Sequence, residues 1–388
     1  MKELSKITET FTESVIREMT RQNDAIGGIN LSQGFPDFES PPAIREAAIR
    51  AITAHHNQYP VTFGEKNLRE AISRKALAYN KIHYDPTDGI TVTCGATEAM
   101  IATLMALINP GDEVIIFEPF YENYSADVIL SGATPRYVKL NPPDWHYDDS
   151  DLEKAFSEKT KAIIINTPNN PTGKVYSREE LTRIAALCQK WDAYAVTDEI
   201  YEHILYDVHE HISMASLPGM EERTVTINSI SKTYAVTGWR VGWAIAAPLI
   251  TQRIRKVHDF LTVGAPNPFQ QAAAEALDFP QEYYLAMQQK YLHARNHLFE
   301  TLQEAGFTPY LPSGAYYILA DAGNLFDKLQ ATDDYDFSIR LLKTTKIATV
   351  PGSSFFHEDQ KATRMVRFAF CKKMETLEKV RNAFVSFE

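Results

Sequence analysis

The chain has 388 residues, 44% of them hydrophobic and 11% aromatic, enough for one large domain and a smaller one, each with its own core. Its 39 basic and 50 acidic residues leave a net charge of −11, which argues against a general nucleic-acid binder with a basic face. No stretch approaches the ~18 apolar residues of a membrane span, and Cys94, Cys188 and Cys371 show neither disulfide nor zinc spacing, so a reducing, cytoplasmic location is expected.

The N-terminal run MKELSKITETFTESVIREM is polar and amphipathic and lacks the apolar core of a signal peptide. Seven β-rich runs follow, at 89–95, 113–119, 134–140, 161–168, 193–200, 224–231 and 239–246. Several are almost continuously apolar, as in strands buried on both faces. Helical patterns lie between most of them. The run 96–108 follows the first strand, and 177–191 opens with Ser177 and Glu180 at capping-box spacing. The alternation predicts an α/β fold with a mostly parallel seven-stranded sheet flanked by helices. The gap between the last two strands is too short for a crossover helix, so that pair is expected to be antiparallel. The C-terminal third mixes strand and helix: one long helical segment from about Ala272 to Ala305, then 307–321, a helix-like 337–345, and the runs 347–355 and 365–370. That mixture predicts a smaller α+β domain.

Four loops at strand ends carry residues suited to ligand chemistry. Read alone, CGATEA (94–99) is a strand-to-helix turn with Thr97 as a cap; read as a site, Gly95, Ala96 and Thr97 offer N–H groups at a helix N-terminus, a seat for phosphate. NTPNNPTGKV (166–175) is turn chemistry first, although an asparagine held between prolines, Asn170, is also a rigid hydrogen-bonding group. In AVTDEIY (195–201), Asp198 closes an apolar strand and needs either solvent or a cation, such as a protonated ring nitrogen; Tyr201 either packs or donates to an oxyanion. SISKTYAVTGWRVG (229–242) holds Lys232, Ser229 and Arg240. A lysine withdrawn from water loses its proton readily and can form a Schiff base, and an arginine grips phosphate with two prongs. The apolar flanks of Arg240 predict that it sits on a buried strand. The dinucleotide G-x-G-x-x-G, Walker A, H-E-x-x-H and G-x-S-x-G patterns are absent, and the eleven histidines show no metal-ligand spacing.

With NNPTG, TDEIY and SISKTYAVTGWRVG in this order, the chain resembles the class I/II aminotransferases of fold type I, which use pyridoxal 5'-phosphate. QGFPDF (33–38), NQYPVTFG (57–64) and EPFYENY (118–124) resemble the subgroup acting on kynurenine, glutamine, methionine and aromatic amino acids. The resemblance implies a division into an N-terminal segment, 1–44, serving the small domain and the site entrance, a large cofactor-binding domain, 45–275, and a small domain, 276–388. It implies that Lys232 anchors the cofactor and moves the proton, that Asp198 meets the pyridine nitrogen, and that Tyr201 and Asn170 meet the ring oxygen. Tyr121 would stack on the ring, while Ala96, Thr97, Ser229 and Arg240 would hold the phosphate. Tyr59 would reach the phosphate of the other subunit of a homodimer. Arg367 would bind the substrate carboxylate, assisted by Asn170 and Gly34. Ala96 departs from the family, where glycine is common; a methyl group fits if the backbone does not need positive φ.

The expected reaction is a ping-pong transfer between an amino acid and a 2-oxo acid. A cysteine-conjugate β-lyase on the same residues and a non-catalytic binding protein are the alternatives. Phe35, Phe120, Tyr121, Tyr316 and Phe355 are expected to line an aromatic pocket with no second arginine, favouring methionine, phenylalanine, tyrosine, glutamine or kynurenine over aspartate.

Overall fold

The computed structural model describes residues 2–323, 325–357 and 364–386. The N-terminal segment supplies a short strand, β1 (Ile29–Asn30). Then come β2 (Ile90–Thr93), β3 (Glu113–Glu118), β4 (Thr134–Asn141), β5 (His146–Tyr147), β6 (Thr160–Asn166), β7 (Tyr194–Asp198), β8 (Thr224–Ser229) and β9 (Gly242–Ile245). All seven expected runs are strands of one sheet, ordered β2-β9-β8-β7-β6-β3-β4-β5. The sheet has eight strands rather than seven, because β5 adds an antiparallel edge; two residues are too few to show a period in sequence. The inner pairs are parallel. β9 runs antiparallel to β8 and β2, as its short connection requires.

Burial follows from composition. Every residue of β2, β3, β8 and β9 is buried, which matches their apolar runs and the helices on both faces. One covering helix, Arg178–Lys190, starts at the capping box, with Ser177 accepting from the Glu180 amide. It buries Leu181, Ile184 and Leu187, each contributing roughly 1.5–3 kcal/mol.

The chain builds from β3 outward to β4 in one direction and through β6, β7 and β8 in the other. Strand order therefore reverses between β3 and β6, and a crevice opens beyond their carboxyl ends.

The C-terminal part forms β10 (Thr308–Pro309), β11 (Tyr317–Asp321), β12 (Ile347–Ala348), β13 (Val350–Pro351) and β14 (Met365–Ala369). An antiparallel sheet β10-β11-β14-β13 packs with its helices, and β1 pairs in parallel with β12. The single long helix expected from Ala272 to Ala305 is two, Asn267–Leu277 and Gln281–Glu304. Pro280 divides them: it has no N–H for the ladder and disfavours helical backbone at Phe279. Among the described residues no helix is long and apolar enough to cross a membrane.

Candidate active site

A cavity of about 770 Å³ lies at the carboxyl ends of the sheet strands. It is lined by Gly34, Phe35, Ala96, Thr97, Tyr121, Asn170, Asp198, Tyr201, Ser229, Lys232, Arg240 and Arg367. These residues are scattered over more than 330 positions of sequence and meet because the strand-end loops of the large sheet face Gly34, from the N-terminal segment, and Arg367, on β14 of the smaller sheet. Tyr59 is not among them; its side chain is 84% exposed.

Lys232 sits in the β8–β9 connection, half-buried, and its Nζ donates to the Gly34 carbonyl at 3.2 Å. Burial and the nearby Arg367 and Arg240 guanidinium groups push its ammonium down to about 8, against the opposing fields of Cys371 and Asp198. The amine is thus partly neutral near physiological pH, the state a nucleophile requires.

Asp198 ends β7 and is buried. Burial pushes its carboxyl up to about 6; the Tyr124 hydroxyl, which donates to Oδ2 at 2.7 Å, and the Ile200 amide, at 3.3 Å from Oδ1, oppose that rise. Among the described residues no cation pairs with it. Tyr124 was missed in the sequence, although it stands in the EPFYENY motif. Tyr201 is buried, and its hydroxyl lies 3.0 Å from that of Tyr317. Tyr317 leaves no space for a side chain at position 34, so Gly34 is fixed by packing.

Arg367 is the middle residue of β14, 1% exposed and paired in register with Leu319 and Val350. Its guanidinium lies 4.2 Å from the Tyr317 ring centroid and 4.8 Å from that of Phe355. Nη1 donates to Asn170 Oδ1 at 2.8 Å and Nη2 to the Ser32 carbonyl at 2.6 Å. Nε is buried without a partner, and no carboxylate pairs with the charge among the described residues. A buried guanidinium held only by neutral oxygens is prepared for a carboxylate.

The opposite end of the cavity is a seat for an anion. Gly95, at φ 83°, caps the helix Ala96–Leu107. Thr97 is exposed and does not cap it, so its hydroxyl is free of that structural task. Ala96 is not in the left-handed region, and its methyl group is accommodated without strain. Arg240 is not on a strand as expected. It precedes β9 in a left-handed conformation, φ 55°, at the end of a short 3-10 turn. There it is half-buried, with Nη1 donating to the Thr237 carbonyl at 3.0 Å and Nη2 to that of Cys94 at 3.4 Å. A strained non-glycine backbone at this point aims the guanidinium at the Gly95 turn. Behind the seat, the His258 imidazole bridges Glu98 Oε1, at 2.6 Å, and the Thr62 carbonyl, at 2.7 Å, tying the turn to the segment that carries Tyr59.

The expected aromatic pocket needs correction. Phe35 and Tyr121 line the cavity, but Phe120, Tyr316 and Phe355 do not. Tyr316 is fully buried and donates to the Gly34 carbonyl at 2.8 Å, and Phe355 packs behind Arg367. A second arginine is present after all: Arg17, on the helix Val15–Ile26, lines the wall beside Glu122. The polar, amphipathic pattern of the N-terminal run gave no sign of which way Arg17 faces.

Glu199, Glu202 and His211 come within 4.8 Å of one another behind Asp198. Lys75 pairs with Glu202, and Thr197, Ser213 and His211 bond to Glu199, so both carboxylates are already paired, while His211 Nδ1 is buried without a partner.

The family described as aminotransferase class I and II matches residues 26–384. Kynurenine–oxoglutarate transaminase 3 of Rattus norvegicus is 36% identical, covering 98% of this chain and 89% of the relative. The structure of N-succinyldiaminopimelate aminotransferase from Mycobacterium tuberculosis superposes with a TM-score of 0.95 at 35% identity over 100% of both chains. An Escherichia coli protein with a methionine aminotransferase function superposes at 0.93 with 33% identity, again over 100% of both chains.

Proposed function

The chain belongs to the class I and II aminotransferases and is an enzyme of that family, and we propose that it uses pyridoxal 5'-phosphate, with Lys232 at the centre of the chemistry. One observation carries this reading: Asp198 and Arg367 are buried charges without counter-ions among the described residues, and both face the cavity that holds the Lys232 amine. The residues fit the cofactor. The lone carboxylate of Asp198 suits a protonated pyridine nitrogen. Arg240, Ser229, Thr97 and the helix N-terminus at Ala96 suit its phosphate. Tyr121 would cover one face of the ring, and Tyr201 and Asn170 would approach its ring oxygen.

When bound there, the cofactor supplies an electron sink for the pair left as the substrate Cα–H bond breaks. The protein's residues do the rest. Arg367 orients the substrate carboxylate, with Asn170 and Gly34 beside it. Lys232 Nζ would take the Cα proton and return it to a second carbon on the far side of the intervening nitrogen, one group serving as anchor and then as shuttle. Buried Tyr201 and Tyr317, with half-buried Phe35, limit water.

Amino acids with aromatic or thioether side chains are the proposed donors, with a 2-oxo acid as acceptor. The printed activities of the rat and Escherichia coli relatives and the presence of Phe35 and Tyr121 in the cavity support this choice. We place the enzyme in the cytoplasm as a homodimer, divided as 1–44, 45–275 and 276–388. Exposed Tyr59, Val61, Phe260 and Val263 support an interface near the anion seat, because the 60–62 and 264 segments pack together there and Leu261 and Thr262 reach the cavity. The test is a titration of the cofactor-loaded protein with a panel of amino acids, one equivalent at a time, followed by absorbance. Methionine, phenylalanine and kynurenine should bleach the visible band and release their 2-oxo acids; release of pyruvate and ammonia from cysteine conjugates alone would instead show a lyase.

A further inference from the structure

The anion seat contains a charge of the wrong sign. Glu98 is the third residue of the helix Ala96–Leu107, lines the cavity and is 7% exposed. Its Oε2 accepts from the Cys94 amide at 2.5 Å, one residue before the Gly95 turn. Burial raises the Cys94 thiol; Glu98 raises it further and Arg240 lowers it, so both charges stand close to that one group. A bare carboxylate at a helix N-terminus would oppose the phosphate expected there.

His258 supplies the missing positive charge. This imidazole, fully buried on the helix Pro248–Leu261, has an acceptor at each ring nitrogen: Glu98 Oε1 is 2.6 Å from Nδ1, and the Thr62 carbonyl is 2.7 Å from Nε2. A carbonyl only accepts, so Nε2 carries a hydrogen. Glu98 Oε1 also accepts from the Thr262 hydroxyl at 2.8 Å, as an ionised carboxylate does, so Nδ1 carries a hydrogen too. The ring is an imidazolium, and the dyad is neutral as a whole. Burial would raise the carboxyl and lower the imidazole, but their mutual hydrogen bond and charge hold Glu98 below its ordinary value and His258 above it. Asp259, on the same helix, adds a weaker pull on His258 in the same direction. Arg255 and Arg69 stand over the Phe63 ring and bond to backbone carbonyls, not to Glu98. Packing alone does not require this pair, because apolar side chains of similar volume join buried helices at least as well.

We infer that His258 is a positioning residue for the anion seat: its imidazolium cancels the Glu98 carboxylate and, through that carboxylate, fixes the Cys94–Gly95 turn on which the phosphate would rest. The inference rests on the cofactor reading above. When the imidazolium loses a proton, the dyad becomes negative and repels an anion at the seat. The sign follows from the raised folded pKa: compensation is complete below the ordinary histidine value and is lost as pH rises through the higher, folded one.

The test uses the cofactor-stripped full chain and sulfate, whose charge stays constant across the titration range of histidine, with binding measured by calorimetry. Lys232 and Asp198 titrate in every protein compared, so the readout is the difference between proteins. Wild-type protein should bind sulfate about tenfold more weakly once His258 is neutral, the effect of one uncompensated charge at a partly solvated site. In Glu98→Gln no carboxylate needs cancelling and burial keeps the lone imidazole neutral, so that part of the pH dependence should vanish. His258→Gln should bind sulfate about tenfold more weakly than wild type at low pH, and Glu98→Gln added to it should restore affinity to within about threefold. A merely structural His258 predicts no such recovery. No measurable sulfate binding, the same pH dependence in wild type and Glu98→Gln, or a double variant no better than His258→Gln would overturn the inference. Should His258→Gln fail to fold, the profiles of wild type and Glu98→Gln decide by themselves. Equilibrium dialysis of the wild type with pyridoxal 5'-phosphate separates the two readings: no retention refutes the cofactor reading, whereas retention beside an unaltered sulfate profile refutes only the role of His258.

Discussion

Lys232 and Arg367 are held in one cavity by different kinds of contact, and their substitutions should fail differently. Lys232→Ala removes anchor and proton carrier together. Turnover should fall by roughly 10³-fold or more while phosphate-dependent cofactor retention persists, measured as single-turnover rate against bound cofactor. Arg367→Lys keeps the charge but loses the fork between Asn170 and Ser32. It should lower kcat/KM by about 10- to 100-fold for every donor alike, since each carries the same α-carboxylate. Asp198 makes a further, opposite prediction about stability. Its folded-state pKa is raised, so the stabilisation it gives is complete below the unfolded value, near 4, and is lost as pH rises through about 6. In cofactor-stripped protein, Asp198→Asn should therefore melt higher than wild type at pH 8, by a few kcal/mol of stability, and the gap should close toward pH 4. A gap that widens with acid would refute this account of Asp198. The residues that meet in the cavity were visible in sequence where a strand end or an unusual motif marked them, as with Asp198, Asn170 and Lys232. Tyr124, Tyr317 and Arg17 carried no such mark. An aromatic or an arginine on a helix or strand looks the same whether it faces a core, a cavity or water, and only the tertiary packing decides.

At the scale of elements, apolar runs bounded by turns disclosed all seven principal strands, because burial on both faces leaves little freedom of composition. The break between Asn267–Leu277 and Gln281–Glu304 was masked by continuous helical patterning on either side of one proline. The placement of Arg240 was misread for a related reason. Its apolar neighbours belong to β9 and to the packing of Trp239 on Phe269, whereas the arginine itself sits in the left-handed turn between them. That turn and the Gly95 turn form one unit. A Cβ at Gly95 would collide with the Arg240 guanidinium, and the glycine holds a φ of 83° that other residues adopt with strain. Gly95→Ala should thus weaken cofactor affinity by about tenfold or more, seen by equilibrium dialysis, with far-UV circular dichroism unchanged. Retention of full affinity would show that the helix N-terminus and Arg240 are not set by this contact.

For the whole molecule, the reversal of strand order between β3 and β6 gathers loops from distant parts of the chain, and β1 on β12 brings the N-terminal segment to the same crevice. The proposed homodimer extends that design across subunits. Mixing Tyr59→Ala and Lys232→Ala proteins should restore activity in the heterodimer, where one of two sites is wholly intact; no recovery after demonstrated subunit exchange would refute a shared site. The central claim, that Lys232 is the amine on which cofactor and chemistry depend, has a more direct test. The cofactor-loaded protein is reduced with borohydride, digested, and the modified lysine identified by mass spectrometry. Loss of the visible band with the adduct on Lys232 is the predicted result, and an adduct on any other lysine, or no adduct at all, would contradict it.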